Sequence, residues 1–397
     1  MTIKPLSQGE FIAMTAMLFA TIAFSIDSML PALPQIALEL VPEAPNSAQL
    51  ILTSFVLGMG IGTLFAGPLS DAFGRKNTIM AGAALYSLAA LAAYFAPSME
   101  TVLAARLVQG LGAAGPRIVT LAMVRDLYRG RDMARIMSFT MMFFILVPAI
   151  APMMGQVIIA GFGWRGVFLA FLVFSAVSMI WLGLRQPETL PASQRRPLSV
   201  TELWSALKEV LSHRVILVSI AVQTLVFGSL FGCLSQIQPI FDQVYGRGDR
   251  FPQWFALIAL ASGLASIANA RLVGRLGMRY LVRTAIGVQA LLSLVVMLTF
   301  AAGILPDDMQ FYVCFVWIIS VFSMAGLTIG NLNALALEPV GHIAGMAASV
   351  TGAISTVGAV VLAAPLGLAF NGTPLPLMIG ITLFASVGWL LTRGLAR

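Results

Sequence analysis

A chain of 397 residues with 59% hydrophobic and only 10% charged side chains has too little polar surface to cover itself in water. Its mean hydropathy of +0.94 excludes a soluble globular domain of this length and indicates an integral membrane protein. The formal net charge of +7 at pH 7 needs no nucleic-acid partner, because the basic residues concentrate in short segments between apolar runs.

Those runs predict twelve membrane-crossing helices, at about 10–30, 48–70, 78–96, 101–124, 136–159, 165–184, 214–241, 252–273, 280–303, 310–333, 343–369 and 374–392. Each is long enough to cross a hydrocarbon core of about 30 Å as a helix that satisfies its own backbone. A closed β-barrel would alternate apolar and polar residues, and these runs do not. Placing the N-terminus in the cytoplasm gathers the basic residues, from Lys4 to Arg397, on one side, with only Arg165, Arg247 and Arg250 opposite. Both termini are therefore expected inside, with loop cations against anionic lipid.

The first span has neither a basic leader nor a clear small-residue cleavage site and is expected to be retained. Near its end lies Asp27, an acidic residue clearly inside an apolar run, whereas Asp242 and Glu338 fall near span ends. Between the second and third spans stands Gly67-Pro68-Leu69-Ser70-Asp71-Ala72-Phe73-Gly74-Arg75-Lys76-Asn77. Gly67 and Gly74 permit a tight turn, Asp71 can cap or pair near a helix end, and Arg75 and Lys76 fix the loop at the membrane surface.

The fourth span holds two arginines, Arg106 and Arg117, eleven residues apart. They share nearly one helix face, roughly 16 Å apart in depth. Asp27, late in an outward-running span, and Arg106, early in an inward-running one, are expected at similar depth and facing one another. Desolvation favours the protonated form of a carboxyl group and a nearby cation the ionised form, so access of water from either side shifts the balance. Two readings stand for this pair: a proton carrier with its tuning partner, or a permanent ion pair that orients two helices. Arg117 likewise has two readings, as a contact to an anionic or strongly polar substrate or as a partner for carbonyls freed near Pro116. Gln109 shares the Arg106 face and is a candidate to bond a substrate or a neighbouring helix.

In the fifth span Pro148 and Pro152, one turn apart, remove two backbone donors and are expected to bend or loosen the helix. Met141, Met142, Phe143 and Phe144 there, Phe227 and Phe231 in the seventh span, and Trp317 and Phe322 in the tenth offer polarizable contacts to a lipophilic molecule, against the alternative of core packing or lipid contact. Gln236 and Gln238, late in the seventh span, are stronger candidates because an amide in a membrane helix needs a partner. In the eleventh, Gly341, Gly345, Gly352 and Gly358 predict close helix approach.

The longest polar stretch, with Pro187, Pro191 and Pro197, divides the chain into six-helix halves, 1–184 and 214–397, joined by a cytoplasmic linker, 185–213. A weak repeat agrees: residues 270–279 can be laid over 67–76, with Gly274 in place of the aspartate. Cys233 and Cys314 lie in separate spans, His213 and His342 lack metal-ligand spacing, and no phosphate-binding loop occurs. No metal, cofactor or catalytic activity is expected.

The 67–77 segment resembles the loop between the second and third helices of major facilitator superfamily transporters. Asp27–Pro34, Arg106–Ala114 followed by Arg125-Asp126, Ala151-Pro152-Met153-Met154-Gly155, and Gln238-Pro239 with Tyr245-Gly246 resemble its bicyclomycin-resistance (Bcr/CflA) branch. The chain departs from that pattern at Ala151 and Gln156, where Gly-Pro and then paired glycines are usual, and at Gly330-Asn331, where Pro-Asn is expected. The resemblance implies two pseudo-symmetric halves, a latch role for the 67–77 loop, an antiporter motif at Pro148, Pro152 and Gly155, and a monomer in the bacterial inner membrane. It further implies export of small amphipathic organic molecules in exchange for protons, for which Asp27 and Arg106, on the reading of the intramembrane charges above, are the candidate coupling pair. The alternatives are a proton-coupled carrier of a polar metabolite, such as a nucleoside or organic anion, and a membrane sensor that does not transport.

Overall fold

The computed structural model describes residues 6–395, apart from the side chains of Ala134, Ser138, Met141, Phe143, Phe144, Ile145 and Val200. Lys4 and Arg397 of the charge pattern, and the side chains of Met141, Phe143 and Phe144 proposed as lining, lie outside the described residues. The described residues form helices and no strands. In chain order these are α1 (Gln8–Asp27), α2 (Leu33–Leu40), α3 (Leu50–Phe73), α4 (Arg75–Tyr94), α5 (Met99–Leu127), α6 (Gly130–Phe162) and α7 (Arg165–Arg185). They continue with α8 (Val200–Ser212), α9 (Arg214–Pro239), α10 (Phe251–Leu276), α11 (Met278–Ala301), α12 (Asp307–Leu337), α13 (Ala344–Leu368) and α14 (Leu375–Leu391).

Among the described residues, 10 stretches are long and apolar enough to cross a membrane. One of them, Asp307–Leu368, contains both α12 and α13, separated by the 3-10 turn Glu338–Ile343. The described apolar part of α6 is the shorter Leu146–Phe162. With α2 and α8 set aside, the long helices are the twelve that the apolar runs predict, with ends displaced by a few residues. Their starts follow local chemistry. The Ser7 hydroxyl accepts the Glu10 N–H at 3.2 Å, and Ser98 with Thr101 forms a reciprocal capping box at the head of α5.

Two short helices are not legible as apolar runs. α2 follows the break in the first span at the 3-10 turn Leu30–Ala32. α8 lies inside the stretch read as linker, where the prolines argue against a continuous helix. All three prolines precede Val200, so the helix begins once they are passed. Leu203, Ala206, Leu207 and Val210 then recur at helical spacing and are covered, while Glu202 and Lys208 on other faces are exposed.

The fold divides into two compact units, one holding the chain up to Val41 together with Ser54–Leu203, the other Pro42–Thr53 together with the chain from Trp204. The first is centred on Phe11, Met14 and Leu18 of α1, Ile79 of α4, Val119 and Met123 of α5, and Leu182 of α7. The second is centred on Val222 and Val226 of α9, Val282 and Ile286 of α11, and Met324 and Leu332 of α12. Side-chain amides tie its helices together: Gln223 donates to Asn333 at 2.9 Å and Asn331 to Asn269 at 2.7 Å. Of the glycines predicted to permit close approach in the eleventh span, Gly358 of α13 does so, since a Cβ there would come within 2.9 Å of Thr224 on α9; Gly341, in the turn Glu338–Ile343, and Gly345 face open space.

Candidate functional site

In the first unit, Asp27 is the last residue of α1, where the helix gives way to the turn Leu30–Ala32. Only 5% of it is exposed, yet the described residues give it neither a hydrogen bond nor an ion pair. Arg106 of α5 reaches the same region of α1 without pairing with it. Its Nη2 donates to the Ser25 carbonyl at 2.9 Å, two residues before Asp27, and its Nη1 donates to Gln109 Oε1 at 2.7 Å. The guanidinium lies over the rings of Phe55 and Phe171, with Cζ 4.4 and 5.7 Å from their centres. Cation–π contacts, a carbonyl and an amide oxygen thus house the charge of a fully buried side chain.

Gly155 of α6 closes the other side. It packs so tightly on the Ser28 carbonyl that a Cβ would overlap the oxygen, so only glycine lets α6 meet the end of α1 here. α6 remains helical through Pro148 and Pro152. The missing N–H groups are absorbed within one long helix, and no break appears at either proline.

The 67–77 segment forms a linked polar cluster. Arg75 pairs with Asp71, donates to Ser70 Oγ at 2.7 Å, and donates through Nε to Asp126 Oδ2 at 3.0 Å. Gly74 has φ 99°, in the region that favours glycine, and lets α4 start directly after α3 ends. Gly67 contributes its carbonyl, which accepts the Ser70 hydroxyl at 2.8 Å. Lys76 Nζ reaches the Gly183 carbonyl at 2.7 Å.

One carboxylate in this cluster escaped the sequence reading. Glu188 accepts the N–H groups of Arg75 at 2.8 Å and Lys76 at 3.2 Å, standing where an N-cap side chain would stand at the head of α4. Thr189 donates to Asp126 at 3.0 Å and the Arg196 N–H to the Asp71 carbonyl at 3.0 Å. The segment after α7 is therefore bound along the loop. The signal available was the proline before an acid-threonine pair, but nothing in sequence distance connects position 188 to position 75.

The remaining candidates are distributed. Arg117 donates to Met59 Sδ at 3.6 Å. Gln236 Nε2 bonds the Leu366 carbonyl of α13, and Gln238 donates to Asp242 at 3.4 Å. Phe231 stacks on Phe227 with ring centres 5.8 Å apart. Trp317 is enclosed, its indole N–H bonded to Ser293 of α11 at 2.9 Å, whereas Met142 is exposed. Arg106 and Gln109 are thus joined, and Arg106 is bonded to the Ser25 carbonyl two residues before Asp27; Gln236, Gln238, Phe231 and Trp317 lie in the second unit.

The family model of the Major Facilitator Superfamily matches residues 13–364. The chain belongs to the Major Facilitator Superfamily. Superfamily relatives include the bicyclomycin resistance protein homolog of Haemophilus influenzae, 28% identical over 332 residues that span 83% of this chain and 82% of that one. The multidrug resistance protein MdtL of Shewanella oneidensis is 30% identical over 339 residues, 82% of this chain and 81% of its own. Among solved structures, a D-xylose-proton symporter covers 97% of this chain and 99% of its own with a TM-score of 0.74 at 15% identity, a likeness of fold alone. The all-α architecture predicted from sequence is thus that of the superfamily, and the protein is a multi-pass membrane transporter of that fold.

Proposed function

We propose that the protein exports small amphipathic organic molecules from bacteria in exchange for protons, across the cytoplasmic membrane and with both termini inside. Relatives named for bicyclomycin and multidrug resistance support export. The observation that carries proton coupling is Asp27, a carboxyl group enclosed at a helix break with no ion-pair partner among the described residues. A charge at such depth costs on the order of 3 kcal/mol even on lenient insertion scales, so its protonation follows whichever side admits water. Arg106 holds the α1 turn beside it through the Ser25 carbonyl, and Gly155 brings α6 onto the Ser28 carbonyl. A change in the protonation of Asp27 therefore has two adjacent elements on which to act. Substrate release and proton uptake alternate at one place without an ATP-hydrolysing part.

The cluster around Arg75 supplies the latch in this scheme, since its partners come from the end of α3, the end of α5 and the segment after α7. Proteoliposomes with a pH-sensitive dye inside test the reading. Chloramphenicol, dyes and nucleosides are added in turn, and at least one is expected to drive protons in the direction opposite to its own movement. Proton flow in the same direction would establish symport, and substrate movement that is blind to the proton gradient would remove coupling.

A further inference from the structure

The first unit houses its two α5 arginines in opposite ways. Arg106 is fully enclosed, with a carbonyl, an amide oxygen and two aromatic faces around its guanidinium. Arg117 has one partner, the Met59 sulfur at 3.6 Å, and no carboxylate pairs with it among the described residues. A guanidinium carries five N–H donors and a thioether is a weak acceptor, so the charge and most of the donors are unanswered by protein. Unlike Arg106, the residue is only partly covered.

Its surroundings extend the imbalance. Met59 runs its backbone beside Gly110, so the Arg117 side chain reaches back along α5 toward the turn that carries Gln109 and Gly110. The Gln109 amide nitrogen is buried and has no acceptor, its oxygen being taken by Arg106. Thr120, one turn past Arg117, has a buried hydroxyl without a partner. One helix therefore presents a cation whose described acceptor is a weak thioether and a neutral N–H donor that has none among the described residues. Apolar groups alone would not answer them; an acceptor-rich anion would.

We propose that Arg117 is the anion-recognising group of the transport site and takes the carboxylate or sulfonate of an amphipathic organic anion. A guanidinium fork matches two acidic oxygens at once, and the polarizable Met59 thioether suits the apolar body of such a molecule. The inference rests on the export reading for the word transport, but not for the binding itself.

Binding is tested on the purified full chain, by the shift in melting temperature with naphthoate and with naphthamide, which share a shape and differ in charge. Naphthoate is expected to stabilise the wild type more than naphthamide, and Arg117→Gln to erase the difference. Arg117→Lys, which keeps the charge but loses the fork, is expected to weaken naphthoate at least tenfold and keep some preference. Should the glutamine variant fail to fold, an unchanged naphthoate affinity in the lysine variant overturns the proposal. Equal effects of the two compounds on the wild type, or a preference that survives Arg117→Gln, also overturn it. Wild-type vesicles separate the two readings: a charge preference in binding without efflux removes export alone, whereas efflux without that preference removes the role of Arg117 alone.

Discussion

Gly155 and Arg106 define what single side chains contribute around Asp27. A Cβ at Gly155 meets the Ser28 carbonyl, so Gly155→Val must push α6 from the end of α1. Overpacking of this kind costs about 1–3 kcal/mol, and a fall in melting temperature and in folded yield is expected. If Gly155→Val melts like the wild type, the helices are not as close as described. Arg106→Lys keeps a charge but cannot serve the Ser25 carbonyl, the Gln109 oxygen and two rings together. At least a tenfold loss of transport is expected, with protein levels near normal. Asp27 and Arg106 were legible because a charge inside an apolar run has few explanations. The direct pairing expected between them does not form, because helix periodicity fixes depth and face but not where a long side chain ends. Arg106 spends its donors on a carbonyl and an amide, and the described ion pairs include none with Asp27.

At the scale of elements, α4 owes its start to a residue far away in sequence. Glu188 caps α4 from 113 residues beyond Arg75, which no local pattern reveals. Glu188→Ala removes the acceptor of two terminal N–H groups and is expected to cost about 1 kcal/mol, as helix caps do. Thermal melting of the purified protein reads this, and Glu188→Gln is expected to lose less because an amide oxygen still accepts. A variant as stable as the wild type would show the cap to be dispensable. The loop itself was legible, since Gly74, Asp71 and Arg75 have local reasons to occur together. α8 was not, because prolines ahead of it masked a short amphipathic pattern that carries both charge and Leu203, Ala206 and Val210.

For the molecule as a whole, the twelve long helices follow from hydropathy almost unaided, because a bilayer tolerates only segments that satisfy their own backbone. Assignment of Pro42–Thr53 to the second compact unit did not follow, since it depends on packing: Asn46 donates to the Leu368 and Phe370 carbonyls at 3.1 and 2.7 Å. The segment 191–199 is mostly exposed and carries Arg195, which is followed by Arg196 rather than by a proline that would block cleavage, so trypsin is expected to nick after Arg195 first and leave two large protected fragments on a gel. Early cleavage inside either set of helices would contradict the division. The central claim is that Asp27 carries the exchanged proton, and Asp27→Asn tests it most directly. In proteoliposomes the variant is expected to lose efflux driven by a proton gradient while still swapping labelled for unlabelled substrate at equilibrium. Undiminished proton-driven efflux in that variant would contradict the account.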